Sequence, residues 1–185
     1  MKPMFLAVVL LGASAAQAGT ITGSVPVSSA AEADRTVVYV ETAPVAPGTS
    51  AKRAKLLQKG ARFSPTVLPI MSGTDVDMTN DDWVAHNVFS KSETKPFDLG
   101  VYPPGSAQAV SFERSGTVDV FCAIHPRMNA VVLVLQNPYF AKPDAQGRFT
   151  IEGVPTGSYS LRVYRLGGGP ASQQQVKVAG DGSAS

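Results

Sequence analysis

Three side chains that can bind a metal ion lie within seven consecutive residues of this chain. Cys122 offers a thiolate, His125 an imidazole and Met128 a thioether, and Cys122 is the only cysteine in the sequence. The other of the two histidines, His86, lies in an earlier segment. Two imidazoles, one thiolate and a weakly bound thioether form the ligand set of blue-copper electron-transfer sites. The sequence therefore predicts such a site, provided that the fold brings His86 to the later segment.

The same residues are compatible with other chemistry. Zinc also accepts a cysteine and two histidines, although the neighbouring thioether favours copper. Cys122 could act as a nucleophile, but no residue besides the two candidate ligand histidines stands out as its activating base. Met71 and Met78 are alternative thioethers. Met78 occupies an apolar position in an alternating strand pattern, which favours a place in the core.

The N-terminal segment has the pattern of a secretory signal peptide. Lys2 precedes an apolar stretch at residues 4–11, and Ala-Gln-Ala at 16–18 is a small-x-small cleavage site before Gly19. No later segment has the run of about 20 apolar residues that a transmembrane helix needs. We therefore expect residues 1–18 to be removed and the mature chain to be exported, with a bacterial periplasm as its compartment.

Charge and cysteine content limit the classes of partner. The chain has 16 basic and 14 acidic residues, and residues 1–18 carry one lysine and no acid, so the mature net charge is about +1. This near balance gives no case for a nucleic-acid partner. A single cysteine cannot form an internal disulfide, and a free thiol in an oxidising compartment is a liability unless a metal occupies it.

Short alternating runs separated by glycine and proline predict an all-β chain of sandwich type. Residues 36–41, 74–79 and 117–121 have strand patterns, and the continuous apolar run at 130–135 predicts a buried strand. The basic segment 51–58 is compatible with two helical turns that serve as a solvated connector or as a docking patch.

The middle of the chain resembles the cupredoxins, the family of plastocyanin and amicyanin. The spacing Cys122-x-x-His125-x-x-Met128 looks most like the short ligand loop of amicyanin. The resemblance implies that His86, Cys122 and His125 are equatorial copper ligands and that Met128 is the axial ligand. The other matching segments are Gly73-Thr74-Asp75-Val76, the turn Asn80-Asp81, His86-Asn87-Val88, residues 112–116 and Phe121.

This resemblance also implies roles for residues around the ligands. Asn87 should tie the two ligand segments together, with its backbone N–H near the Cys122 sulfur. Many cupredoxins have a hydroxyl residue after the cysteine, whereas this chain has Ala123. Phe121, Ile124 and Pro126 should exclude water near the metal, and Ile124 and Pro126 should also form an apolar surface around His125 through which electrons pass. We expect Trp83 to serve packing.

The outer segments resemble a carboxypeptidase-regulatory-like β-sandwich. Residues 144–165 have the pattern of its closing half, and residues 20–25 and 36–41 look like its opening strands. We therefore expect a Greek-key cupredoxin sandwich and a second small sandwich assembled from both chain ends. The predicted division is a signal peptide at 1–18, an N-terminal β segment and linker at 19–57, the cupredoxin domain at 58–136 and a C-terminal β segment at 137–185 that pairs with 19–57.

The expected function is that of a periplasmic type 1 copper protein that carries single electrons and is not an enzyme. The partner would be a redox protein of the c-type cytochrome or periplasmic dehydrogenase class. One alternative is a periplasmic copper chaperone or buffer that uses the same ligands to deliver Cu(I). Another is a β-sandwich binding module in which copper is structural.

Overall fold

The computed structural model describes residues 18–46, 48–168 and 172–179. The predicted signal peptide falls almost wholly outside these residues, so it stays a prediction. In the described part of the chain, no helix has the length and apolarity to span a membrane. The elements are β1 (Ala18–Ser24), α1 (Ala30–Asp34), β2 (Thr36–Val40), β3 (Ala54–Gln58), β4 (Phe63–Ser64), β5 (Val67–Met71), β6 (Thr74–Asn80), β7 (His86–Ser90), β8 (Phe97–Tyr102), β9 (Ala107–Phe112), β10 (Gly116–Phe121), β11 (Asn129–Leu135), β12 (Phe140–Ala141), β13 (Arg148–Pro155), β14 (Gly157–Arg165) and β15 (Gln173–Val178).

The middle of the chain folds into one sandwich of two sheets. One sheet has the strand order β5-β11-β10-β7-β8, and the other has the order β4-β3-β6-β9. Strand β6 shows why these segments form strands, because its buried residues alternate with partly exposed ones along its whole length. The inward side chains of both sheets form a continuous core that includes Leu56, Val76, Met78, Phe112, Val120 and Val132.

The segment 51–58 is not helical, contrary to the prediction. Residues 54–58 form β3, which runs parallel to β6 and antiparallel to β4. Leu56 and Gln58 point inward, while Lys55 is exposed, so the segment has a period of two. The exposed guanidinium of Arg53 bonds both carboxylate oxygens of Asp77 on β6. The five residues of β3 are too few to distinguish a helical period from a strand period. Pairing with β6 makes this segment a strand.

The two ends of the chain build a second sandwich, as the sequence predicted. Strands β2 and β14 pair antiparallel in a sheet of order β12-β2-β14-β15, and β1 pairs antiparallel with β13. Neither end could close a core alone, because each sheet contains strands from both ends. The apolar residues between these sheets include Ile21, Val38, Val40, Phe149, Ile151 and Leu161.

Strand β11 explains how the two sandwiches fit together. Val132 and Val134 face the core of the first sandwich, whereas Val131, Leu133 and Leu135 belong to a separate cluster that also includes Val37. Tyr39, Phe140 and Tyr164 of the second sandwich pack against this cluster. Because both faces of β11 are covered, the strand is a nearly continuous apolar run, and the prediction of a buried strand at 130–135 is confirmed.

Candidate metal centre

Strands β7 and β10 position the two segments that carry the candidate ligands. The strands are antiparallel neighbours with Phe89 opposite Phe121, so the start of β7 and the end of β10 meet at one edge of the sheet. His86 is the first residue of β7, and Cys122 directly follows β10. The fold therefore brings together two ligand segments that are distant in the sequence.

Three potential ligand atoms converge at this edge. The Nδ1 atoms of His86 and His125 are 3.1 Å apart, and the Cys122 Sγ lies 3.8 Å from each of them. A point equidistant from the corners of such a triangle lies about 2.1 Å from each atom, within the range of about 2.0–2.3 Å for metal–imidazole and metal–thiolate bonds in zinc sites. The three residues thus fit around one metal ion without further movement.

Backbone hydrogen bonds hold the segment 122–128, the ligand loop, in a closed shape. The Cys122 N–H donates to the Met128 carbonyl at 3.2 Å, and the Met128 N–H donates to the His125 carbonyl at 2.9 Å. Met128 is almost wholly buried and belongs to the core that also contains Cys122. Met78 is buried in the same core on β6, as the alternating pattern predicted.

His86 is oriented by Asp82, a residue that no sequence motif marks. The His86 Nε2 lies 3.0 Å from Asp82 Oδ2, and both side chains are buried. The N–H groups of Ala61 and Trp83 donate to the same carboxyl group. The signal in the sequence is an acidic residue four positions before the histidine, directly after the turn Asn80-Asp81.

The protonation state of Asp82 determines the tautomer of His86. Hydrogen bonds lower the pKa of Asp82 to about 2; the largest effect comes from the Ala61 N–H and the next from the His86 ring. Near neutral pH the carboxylate is therefore ionised and can only accept hydrogen bonds. His86 must donate from Nε2, which leaves the Nδ1 lone pair directed at Cys122 and His125.

Asn87 links the ligand segments, although not in the whole of the expected way. Its side-chain oxygen accepts the Ala123 N–H at 3.3 Å, so the link needs no hydroxyl at position 123. Its amide group donates to Asp98 at 2.7 Å. Among the described residues, the polar contacts of the Cys122 Sγ are the two histidine nitrogens, so the expected contact with the Asn87 backbone N–H is not seen.

Tyr102 also lies beside the site, and no sequence pattern marks it as part of it. It stands opposite His86 in the pairing of β7 with β8, and its hydroxyl donates to the Met78 carbonyl at 3.0 Å. The same hydroxyl accepts a hydrogen bond from Gln58. Burial raises the pKa of Tyr102 to about 12, so the phenol is neutral over the physiological range.

Two large apolar side chains that are next to the candidate ligands in the sequence are exposed. Phe121 is 39% exposed and Ile124 is 46% exposed, while His86 and Cys122 are buried and His125 is half-buried. His125 is thus the candidate ligand closest to solvent. Trp83 is 88% exposed, so the expectation that it serves packing is wrong: the short loop before β7 turns it outward.

A family model, the carboxypeptidase regulatory-like domain, matches residues 115–185. The match begins just before β10, so it covers the ligand loop and β11 as well as the C-terminal strands of the second sandwich. No curated protein matches the chain.

Several solved structures are similar to this chain. A novel purple cupredoxin from Nitrosopumilus maritimus is 30% identical over 44% of this chain and 98% of its own, with a TM-score of 0.41. Amicyanin from Paracoccus versutus is 25% identical over 55% of this chain and 98% of its own, with a TM-score of 0.42. A copper-containing nitrite reductase from Thermus scotoductus SA-01 is 27% identical over 49% of this chain and 25% of its own, with a TM-score of 0.43.

The 30% sequence identity extends over 98% of the purple cupredoxin chain. The two-sheet sandwich and the convergence of His86, Cys122 and His125 at its edge are independent of that identity. Through the central part of its sequence, this chain belongs to the cupredoxins.

Proposed function

We propose that this protein binds one copper ion through His86, Cys122 and His125, with Met128 as the axial ligand, and carries single electrons between redox proteins. The observation that carries the proposal is the placement of two imidazole nitrogens and one thiolate sulfur within 3.8 Å of one another at the edge of the sandwich. Soft and borderline ligands of this kind suit copper in both of its biological oxidation states.

Copper bound there would supply one-electron chemistry between Cu(I) and Cu(II). The protein's contribution is to hold the ligands where both states can use them. The Asp82 carboxylate orients His86, the closed backbone of the ligand loop fixes Cys122 relative to His125, and Asn87 ties the loop to β7. Ligands held by such surrounding hydrogen bonds do not need to move far when the charge of the site changes.

His125 provides the route for electrons in this proposal. It is more accessible than the other two candidate ligands, and Ile124 and Phe121, which are close to it in the sequence, expose apolar side chains. Removal of exposed apolar side chains from water favours association when a partner docks. We propose a partner of the c-type cytochrome or periplasmic dehydrogenase class, in the periplasm, reached through the signal peptide at residues 1–18.

The burial of the ligands favours a carrier over a chaperone. Delivery of Cu(I) to an acceptor requires ligands that the acceptor's own thiolates can reach, whereas Cys122 is only 4% exposed and His86 is fully buried. The same burial leaves no space for a substrate at the Cys122 sulfur. We therefore propose that the protein is not itself an enzyme.

Voltammetry of the copper-loaded protein, combined with a copper-transfer assay, tests this proposal. We expect a reversible one-electron wave and slow loss of Cu(I) to a competing chelator. The Cys122→Ser variant serves as the control and should lose the wave. An irreversible wave, or rapid transfer of Cu(I) to the chelator, would favour the chaperone and contradict the carrier.

A further inference from the structure

A cavity of about 730 Å³ lies beside His125, where the second sandwich approaches the ligand loop. Three arginines from separate parts of the chain line it. Arg35 follows α1, Arg62 lies between β3 and β4, and Arg127 belongs to the ligand loop. Thr66 and Asn129 add polar side chains to the wall. We call this cavity the arginine cleft.

The described residues that line the arginine cleft do not neutralise its positive charge. Arg35, Arg62 and Arg127 are exposed, and none of them has a side-chain hydrogen bond or an ion pair with another described residue. None of the described residues that line the cavity is acidic. By contrast, Arg162 and Arg165 form ion pairs with Glu41 and Glu32. Like charges gathered in a concavity repel one another and concentrate a positive potential there.

The wall that carries Arg35 is fixed to the first sandwich. The Asp34 carboxylate accepts the Thr66 N–H at 2.8 Å, and the Lys142 ammonium bridges Asp34 and the Val67 carbonyl. On its other side, the Arg35 carbonyl accepts the Leu166 N–H at 3.0 Å. The second sandwich therefore holds a cationic side chain beside the ligand loop, and this gives it a role at the site.

We propose that the arginine cleft binds a carboxylate-bearing anion next to His125. The planar guanidinium matches the geometry of a carboxylate and can donate two parallel hydrogen bonds to it. The volume of the cavity lies within the usual range of about 300–1,000 Å³ for small-ligand sites. The carboxylates can belong to a small acid or to the acidic side chains of a protein partner. The binding step does not need a metal.

A bound anion would also be coupled to the metal site, and this part of the inference rests on the proposed function. The anion stabilises the more positive, oxidised site, so it binds that form more tightly and by reciprocity lowers the reduction potential. A tenfold preference for the oxidised form corresponds to a decrease of 59 mV for one electron.

Calorimetric titration of the metal-free full chain tests the binding step. One probe is tricarballylate, a tricarboxylate without the hydroxyl through which citrate chelates metals, and the other is a hexaglutamate peptide. We expect saturable binding of at least one of the two, weakened at least tenfold in the double variant Arg35→Gln/Arg62→Gln. The matched control is Arg114→Gln, at the opposite end of β10, which should bind as the wild type does.

Binding of the small acid alone supports a metabolite-sized ligand, and binding of the peptide alone supports an acidic partner protein. Absence of binding for both probes overturns the inference, and so does equal weakening by Arg114→Gln. The coupling is measured separately, as the shift in reduction potential of the copper-loaded protein on addition of tricarballylate. A reversible wave without anion binding would overturn only this inference, whereas anion binding by a protein without a wave would overturn only the carrier function.

Discussion

Asp82 determines which nitrogen of His86 faces the other ligands, and its role depends on a contact between a loop and a strand. Asp82 lies four residues before His86 in the sequence, but this spacing alone does not predict a contact. The conformation of the turn between β6 and β7 brings the two side chains together. There, the Asn80 side chain accepts the Asp82 N–H and bonds the Val84 carbonyl, which shapes the turn. The exposure of Trp83 could not be predicted for the same reason, because the direction of a loop side chain depends on backbone angles that the residue pattern does not specify.

Replacement of Asp82 by asparagine should weaken copper binding. The amide has no negative charge and can present its N–H₂ group to His86, so the histidine loses the acceptor that fixes its tautomer. We expect the affinity for Cu(II) to fall about 10–100-fold, as is typical when such a partner of a metal-ligand histidine is lost. Competition with a chelator of known affinity measures this. Asp81→Asn, at an exposed neighbouring position, should leave the affinity unchanged, and an equal loss in both variants would contradict the role of Asp82.

Met128, which is buried at the end of the ligand loop, is the axial ligand in the proposed copper site. Met128→Leu conserves most of the buried volume, so we expect a stability cost below about 1.5 kcal/mol. The loss of the thioether removes electron density from the oxidised ion, so the reduction potential should rise. Met78→Leu, in the core on β6, is the matched control and should not shift the potential. A potential that responds to Met78 but not to Met128 would reassign the axial ligand.

At the scale of elements, the alternating and apolar patterns predicted most strands, because each face of a strand has one environment. The prediction failed at β3, where five residues fit a helix and a strand equally well and the partner strand β6 lies 16 or more residues later. The apolar run at β11 was recognised as buried, but the identity of the covering surface was not readable from the run itself. That surface is the second sandwich, which packs against β11 through side chains that are distant in the sequence.

The contact between α1 and the start of β5 should weaken in acid. Burial would raise the pKa of Asp34, but hydrogen bonds from Lys142 and Thr66 outweigh it and hold the pKa below its usual value. The ionised carboxylate thus contributes stability above an unfolded-state pKa of about 3.9, and this contribution disappears as the pH falls through the lower folded-state value.

Thermal melting as a function of pH checks this expectation. At pH 7 the Asp34→Asn variant should melt at a lower temperature than the wild type, and the difference should shrink as the pH falls below about 4. Glu152→Gln, an exposed substitution on β13, serves as the control. A difference that stays constant down to the acid limit would contradict the role of the ionised Asp34.

At the scale of the whole molecule, an apolar cluster and the hydrogen bonds of the Asp34–Lys142 pair with Thr66 and Val67 join the two sandwiches, so we expect them to unfold together. Calorimetry should show one transition whose midpoint rises when copper is added, because a ligand that binds only the native state stabilises everything that unfolds with its site. The Cys122→Ser protein should show a much smaller rise. Two transitions, of which copper shifts only one, would indicate that the sandwiches are thermodynamically independent.

The central claim, a copper site built from His86, Cys122 and His125, is tested most directly by the visible absorption spectrum of the copper-loaded protein. A thiolate bound to Cu(II) in this ligand set gives an intense charge-transfer band that colours the protein. We predict that the wild type shows this band with one copper per chain and that Cys122→Ser lacks it. A colourless wild-type protein, or a band that persists without the thiol, would contradict the site.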